Sequence, residues 1–276
     1  MTGNGLAAVR VEDRLWLPLK VTNNACALDD DLTRNIETVL KRGYTRFNEF
    51  IGSQKGALSI CGFAPSLKET WKQITGDVMA CNRAHDWLIE QGVIPKWCLL
   101  MDPLEVIAEM VTPHKGVTYL VASRCHPKVL EKLEGYKVVV WHCAGDEVLC
   151  PLLEQHFAGE PEKLEPMVCG GTATVTRGAV VGVTMGYTDI HVFGADSSFQ
   201  QTTHLKPSLV PEQEITVMVD QRLFRTTGWM TLQVEDVKIV FNDLRDHLGI
   251  RFVFYGDGLI QQVAKTLGYE VKEAGC

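Results

Sequence analysis

Residues 57–67 read ALSICGFAPSL: a short apolar run, a glycine, then a Pro-Ser pair opening a helix-like segment. The run from Ala57 to Cys61 does not alternate strictly between apolar and polar residues. That is the signature of a strand covered on both faces, as in a parallel sheet. Working outward, similar runs recur at Asp77–Cys81, Trp97–Met101, Thr118–Ser123, Lys137–His142, Asp189–Ala195 and Arg251–Tyr255. Between them SLKETWKQI, RAHDWLIEQG, EVIAEMV, PKVLEKLEG and TATVTRGAVVGVTMG carry helical spacing, and Gly92, Gly135 and Gly186 fall where helix C-caps are expected. Strands alternating with helices imply right-handed βαβ units. The expectation is an α/β fold: a Rossmann-like, mostly parallel sheet with helices on both faces.

Two stretches stand outside this pattern. Residues 1–56 hold a candidate strand or hairpin (Ala7–Val21) and one helix near Leu28–Arg42, and read as a small N-terminal appendage to a 57–276 domain. Residues 197–228 are rich in Thr, Gln and Pro, contain a candidate hairpin at Ile215–Phe224, and follow a core strand. A long insertion there reads as a lid.

Composition removes several function classes. A net charge of −7 without any basic block argues against a nucleic-acid partner. No run of about 18 apolar residues exists to span a membrane, and the first residues lack a secretory pattern. The nine cysteines sit mostly in apolar runs without a CxxC pair, so they read as buried thiols of a reducing, cytoplasmic compartment.

In open α/β sheets ligands bind beyond the carboxyl ends of the strands, which selects the residues following each run. GFAPSL places Gly62, Pro65 and Ser66 at a helix start, where free N–H groups attract anions; a tight turn with a helix cap reads the same residues without a ligand. CGGTAT offers Gly170, Gly171 and Thr172 as a second such turn, with the same alternative. Asn82 suits a base, a ribose or a helix cap. Asp102 and Asp196 each end an apolar run, as carboxylates do that contact Mg²⁺ or ribose, or that cap a loop. His204, in the polar insertion just after Asp196, has the titration range for acid–base work, with a solvated loop histidine as the alternative.

In order and spacing, GFAPSL, ACNRAHDWLIEQGVIPKWCLLMDP, GGTATVTRGAVVGVTMGYTDIHVFGADSSF and TTH resemble the MptE-like family, named for 6-hydroxymethyl-7,8-dihydropterin diphosphokinase. The layout is also similar to that of bacterial sialyltransferases that use CMP-sialic acid. Gly62, Pro65, Ser66 and Leu67 match the family's G-x-G-P-S-L. Ala64 replaces its second glycine, and Phe63 stands where the sialyltransferases carry Asn. The resemblance implies a nucleotide-binding domain and group transfer. In its leading form this is Mg²⁺-assisted diphosphoryl or phosphoryl transfer from ATP or another nucleoside triphosphate to a small, pterin-like acceptor. Gly62–Ser66 and Gly170–Thr172 would hold phosphates, Asp102 and Asp196 the metal, and His204 the acceptor side, with Arg83 and Arg177 supplying positive charge. Glycosyl transfer from a CMP-type nucleotide sugar and non-catalytic nucleotide binding are the alternatives.

Overall fold

A computed structural model describes residues 27–160, 163–199 and 213–273. The expected strands form as β2 (Ala57–Cys61), β3 (Asp77–Cys81), β4 (Trp97–Leu100), β5 (Thr118–Ala122), β6 (Lys137–Cys143), β8 (Asp189–Phe193) and β11 (Arg251–Tyr255). Shorter pieces join them: β1 (Thr45–Arg46), β7 (Met167–Val168) and β12 (Glu270–Lys272). Every described pairing in this sheet is parallel, in the order β1-β6-β5-β4-β3-β2-β8-β11-β12, with β7 beside β6. Successive strands from β2 step one way to β6. The chain then crosses back and lays β8 on the other side of β2, so the topological switch lies between β2 and β8.

That return is made by α6 (Thr174–Met185), every residue of which is buried. It packs over β2, β3, β4 and β8, and its glycines make the close approach possible. A Cβ at Gly182 would stand 2.5 Å from a Leu58 methyl, and one at Gly178 would stand 3.3 Å from Ile60 and Leu99. The helix ends at Gly186 with φ +110°, the left-handed cap expected there. The β2–β3, β3–β4, β5–β6 and β6–β7 connections carry α2 (Ser66–Thr70), α3 (Ala84–Glu90), α4 (Pro127–Lys132) and α5 (Leu149–His156). The β4–β5 connection, expected to be helical at EVIAEMV, forms only a 3-10 turn (Glu105–Glu109).

The described part of the 1–56 segment supplies α1 (Asp29–Leu40) and β1 at the sheet edge beside β6. Asn35 of α1 is buried and donates to the Arg124 carbonyl at 3.0 Å. The candidate strand at Ala7–Val21 lies outside the described residues. The Ile215–Phe224 hairpin forms as β9 (Glu214–Val219) and β10 (Arg222–Thr227). Its turn residues, Asp220 and Gln221, both have positive φ, matching the right-handed strand twist. A long helical run follows: α7 (Gly228–Asp236), a π turn (Val237–Phe241) and α8 (Asn242–Leu248). After β11, α9 (Leu259–Thr266) leads to β12.

Candidate functional site

At the switch point the backbones of the β2 and β8 loops touch. Gly62 N donates to Phe193 O at 2.9 Å, and Ala64 N to Gly194 O at 3.0 Å. A Cβ on Gly62 would lie 2.3 Å from Gly194 O, and one on Gly194 would lie 2.5 Å from Gly62 O. Both glycines are therefore required by packing.

Asp196 turns into this junction. It is fully buried, accepts the Ser66 N–H at 3.0 Å on one oxygen, and receives the Ser66 hydroxyl on the other. The start of α2 is thus capped by the chain's own carboxylate. The β11 loop closes over it, since a Cβ at Gly256 would strike Ser66 and one at Gly258 would strike Asp196. Burial pushes the Asp196 carboxyl up to about 6. The two Ser66 donors oppose that rise, while the Glu69 and Asp257 carboxylates add to it.

The CGGTAT turn is gripped in the same way. Thr172 donates both its N–H (2.6 Å) and its hydroxyl (2.7 Å) to one oxygen of Asp236, which also receives the Thr176 hydroxyl at 2.8 Å. Gly170 and Gly171 have φ of +76° and +81°, and a Cβ on Gly171 would collide with the α6 backbone. Arg177 is buried, and its guanidinium donates to the carbonyls of Gly171, Val168 and Ala144. The cation expected to face a ligand from α6 is therefore turned inward to hold loops together.

One strand over, the edge differs. Asn82, in the left-handed region (φ +48°), donates its amide to Asp102 at 3.1 Å and to the Thr174 hydroxyl at 3.3 Å. The cluster thus joins the ends of β3 and β4 to the first residue of α6. Asn82 Oδ1 is buried and has no hydrogen-bond partner among the described residues. Asn82 and Asp102 are half-buried, yet desolvation raises the Asp102 carboxyl against the lowering effects of Asn82, Arg124 and Thr174. Arg83, which follows Asn82 in the chain, is half-buried and makes no hydrogen bond or ion pair among the described residues.

The expected residues thus fall into clusters. Ser66 meets Asp196; Asn82 meets Asp102 and Thr174; Thr172 meets Asp236. Thr172 and Thr174 link the last two through the start of α6. His204 lies outside the described residues.

Compared with known protein families, residues 30–202 match the one described as "6-hydroxymethylpterin diphosphokinase MptE-like". The chain belongs to the MptE-like family. A sequence comparison with curated proteins finds no match. By structure, the MptE-like chain is similar to the MAf glycosyltransferase of Magnetospirillum magneticum AMB-1 (TM-score 0.59, 14% identity). The likeness covers 91% of this chain and 39% of that one. It shows a shared fold, and the chain spans about two-fifths of that enzyme's length. The sialyltransferase CstII of Campylobacter jejuni, solved in complex with the substrate analogue CMP-3FNeuAc, matches at TM-score 0.38 and 14% identity, over 79% of this chain and 85% of that one.

Gly62, Ser66, Asn82, Asp102, Gly170–Thr172 and Asp196 all fall within the MptE-like match, whereas Asp236 lies beyond it. No sequence motif marks Asp236, which reaches Thr172 across 64 residues. Among the described residues, no three His, Cys, Asp or Glu side chains gather to hold a metal ion. Mg²⁺ needs only one or two carboxylates when phosphates and water complete its shell. Asp102 fits that limited role. Asp196, with both oxygens engaged by Ser66, does not. No helix among the described residues is long and apolar enough to cross a membrane.

Proposed function

We propose that this MptE-like chain is a nucleotide-dependent transferase that moves a diphosphoryl group from a nucleoside triphosphate to a small hydroxylated acceptor. The observation that carries this reading is the Asn82–Asp102–Thr174 cluster. Its Asn82 and Asp102 are half-buried, it leaves an acceptor oxygen unmet, and it sits at the strand ends where α/β folds take ligands. Membership of a family named for a diphosphokinase supports the reaction class.

In this reading Asn82 Oδ1 accepts a hydrogen bond from the base or ribose, and Arg83 neutralises a phosphate. Asp102 would hold Mg²⁺, which when bound neutralises charge on the phosphates. The transfer itself is largely positioning and charge neutralisation. Gly62, Gly170 and Gly171 fix the turns around the site. His204 stands on the acceptor side as the acid–base group. Asp196 holds the α2 turn in place. The free thiols suit a reducing, cytoplasmic setting.

Glycosyl transfer from a CMP-type nucleotide sugar is the second reading, favoured by Asp102 being the lone carboxylate in its cluster, since that chemistry can proceed without metal. Incubation with Mg·ATP and 6-hydroxymethyl-7,8-dihydropterin separates the two. Diphosphoryl transfer breaks the α–β phosphoanhydride and yields AMP only when the metal is present. Phosphoryl transfer yields ADP, and metal-independent release of CMP from a nucleotide sugar would select the glycosyl reading. Binding without turnover would identify a non-catalytic module, and binding of no nucleotide at all would overturn the proposal.

A further inference from the structure

Helix α7 touches the segment that follows Asp196 and the CGGTAT turn. Near its start, Thr226 donates its hydroxyl to Ser197 O at 2.6 Å, and Gln233, one turn before the helix end, accepts the Ser197 hydroxyl at 2.6 Å. Phe199 N donates to Arg225 O at 2.7 Å, so residues 197–199, immediately after Asp196, are tied to β10 and α7. At the far end of α7, Asp236 takes three donors from Thr172 and Thr176. Four residues on, in the π turn and on the same face, Val240 packs on Gly170. A Cβ built at that glycine would meet its methyl at 3.0 Å. Nine residues of helix span about 13 Å, so α7 is a strut from the Asp196 strap to the start of α6.

Its consequence falls on Thr174. Thr176 donates to Asp236 and accepts the Ala173 N–H at 3.1 Å. Thr172 and Thr176 therefore flank Thr174 with two groups pinned to the same carboxylate oxygen. Thr174 in turn is the residue of α6 that meets Asn82.

We propose that Asp236 is a positioning residue: from the end of α7 it sets the first turn of α6, and so fixes Thr174, Asn82 and Asp102 for ligand. It touches no ligand itself. The proposal deepens the reading of this edge as a nucleotide site and rests on it for the ligand, though not for the geometry.

The test compares Asp236→Ala and Asp236→Asn with the unaltered chain in two independent measurements. In the ligand-free protein, amide exchange at Thr172 and Ala173 is expected to quicken about tenfold in the Ala variant, as when a helix cap is lost. The Asn variant, which keeps an acceptor oxygen, should restore most of the protection. Calorimetric titration with Mg·ATP should show affinity about tenfold weaker for Ala and nearly recovered for Asn, a difference that loss of global structure would not produce. Unchanged exchange in the Ala variant would overturn the proposal, as would tighter Mg·ATP binding, which would make the carboxylate a competitor for phosphate. If Asp236→Ala does not fold, Asp236→Asn with unaltered exchange and a weakened affinity would equally overturn it. Failure of the unaltered chain to bind Mg·ATP would count against the nucleotide reading alone, because the exchange measurement still judges Asp236.

Discussion

At the carboxyl ends of β2 and β8 the chain closes on itself, whereas one strand over, at β3 and β4, polar groups are left unmet. The Gly62 and Gly194 backbones are in contact, and the Ser66–Asp196 pair beneath them is fully enclosed. Asn82 and Asp102, by contrast, are half-buried, and Arg83, next to Asn82 in the chain, makes no ion pair among the described residues. A helix start is an anion site only while its N–H groups are free. In the two glycine turns, Asp196 and Asp236 already occupy that place. Glycine turns therefore mark where loops must pack closely, and the proposed ligand site lies beside them.

The largest effect that could break this contrast is on folding. Gly62→Ala puts a methyl 2.3 Å from a backbone carbonyl, and a loss of about 3 kcal/mol or more is expected from chemical denaturation. Stability equal to the unaltered chain would show that the junction is open after all.

Asp196→Asn probes the same junction electrostatically. Burial raises this carboxyl from 3.8 to about 6, so the folded state holds a proton that the unfolded state releases between those values. Stability of the unaltered chain should accordingly fall as pH rises from about 4 to about 6, by about 3 kcal/mol in all. The Asn variant should lose that slope and exceed the unaltered chain in stability at pH 8. Loss of turnover by about a hundredfold in a well-folded Asp196→Asn protein would return Asp196 to the chemistry.

On the unmet side the pattern inverts. Asp102→Asn is expected to weaken Mg·ATP binding by about tenfold to a hundredfold, with stability changed by about 1 kcal/mol or less. A variant that binds normally would move the site away from β4.

Much of this was legible in the residues. The double-sided strands announce themselves as unbroken apolar runs, and Asn82, Asp102 and Asp196 each stand in the loop after one. What escaped was long-range. Ser66 and Asp196 were both candidates for ligand contact, but only the fold brings them together, across 130 residues. Asp236 ends a helix whose apolar residues fall on several faces, so neither periodicity nor a motif marks it. Strands of two or three residues, such as β1 and β7, form only because β6 is there to pair with.

The smallest effect concerns the thiols. Cys61, Cys81, Cys98, Cys125, Cys143 and Cys169 are buried, and burial pushes the Cys169 thiol up to about 11, so these should resist a thiol reagent in the native protein. Cys150, exposed at the surface, should label first among the described cysteines. Fast labelling of Cys61, which lies under the Gly62 turn, would mean that the closed junction opens readily.

The most direct measurement is a crystal structure with Mg²⁺ and a non-hydrolysable ATP analogue. The expected result is a nucleotide over the ends of β3 and β4, with a polar group on Asn82 Oδ1, its phosphates toward Arg83 and Asp102, and the Ser66–Asp196 bonds intact. Phosphates seated on the Ser66 N–H with Asp196 displaced would contradict it.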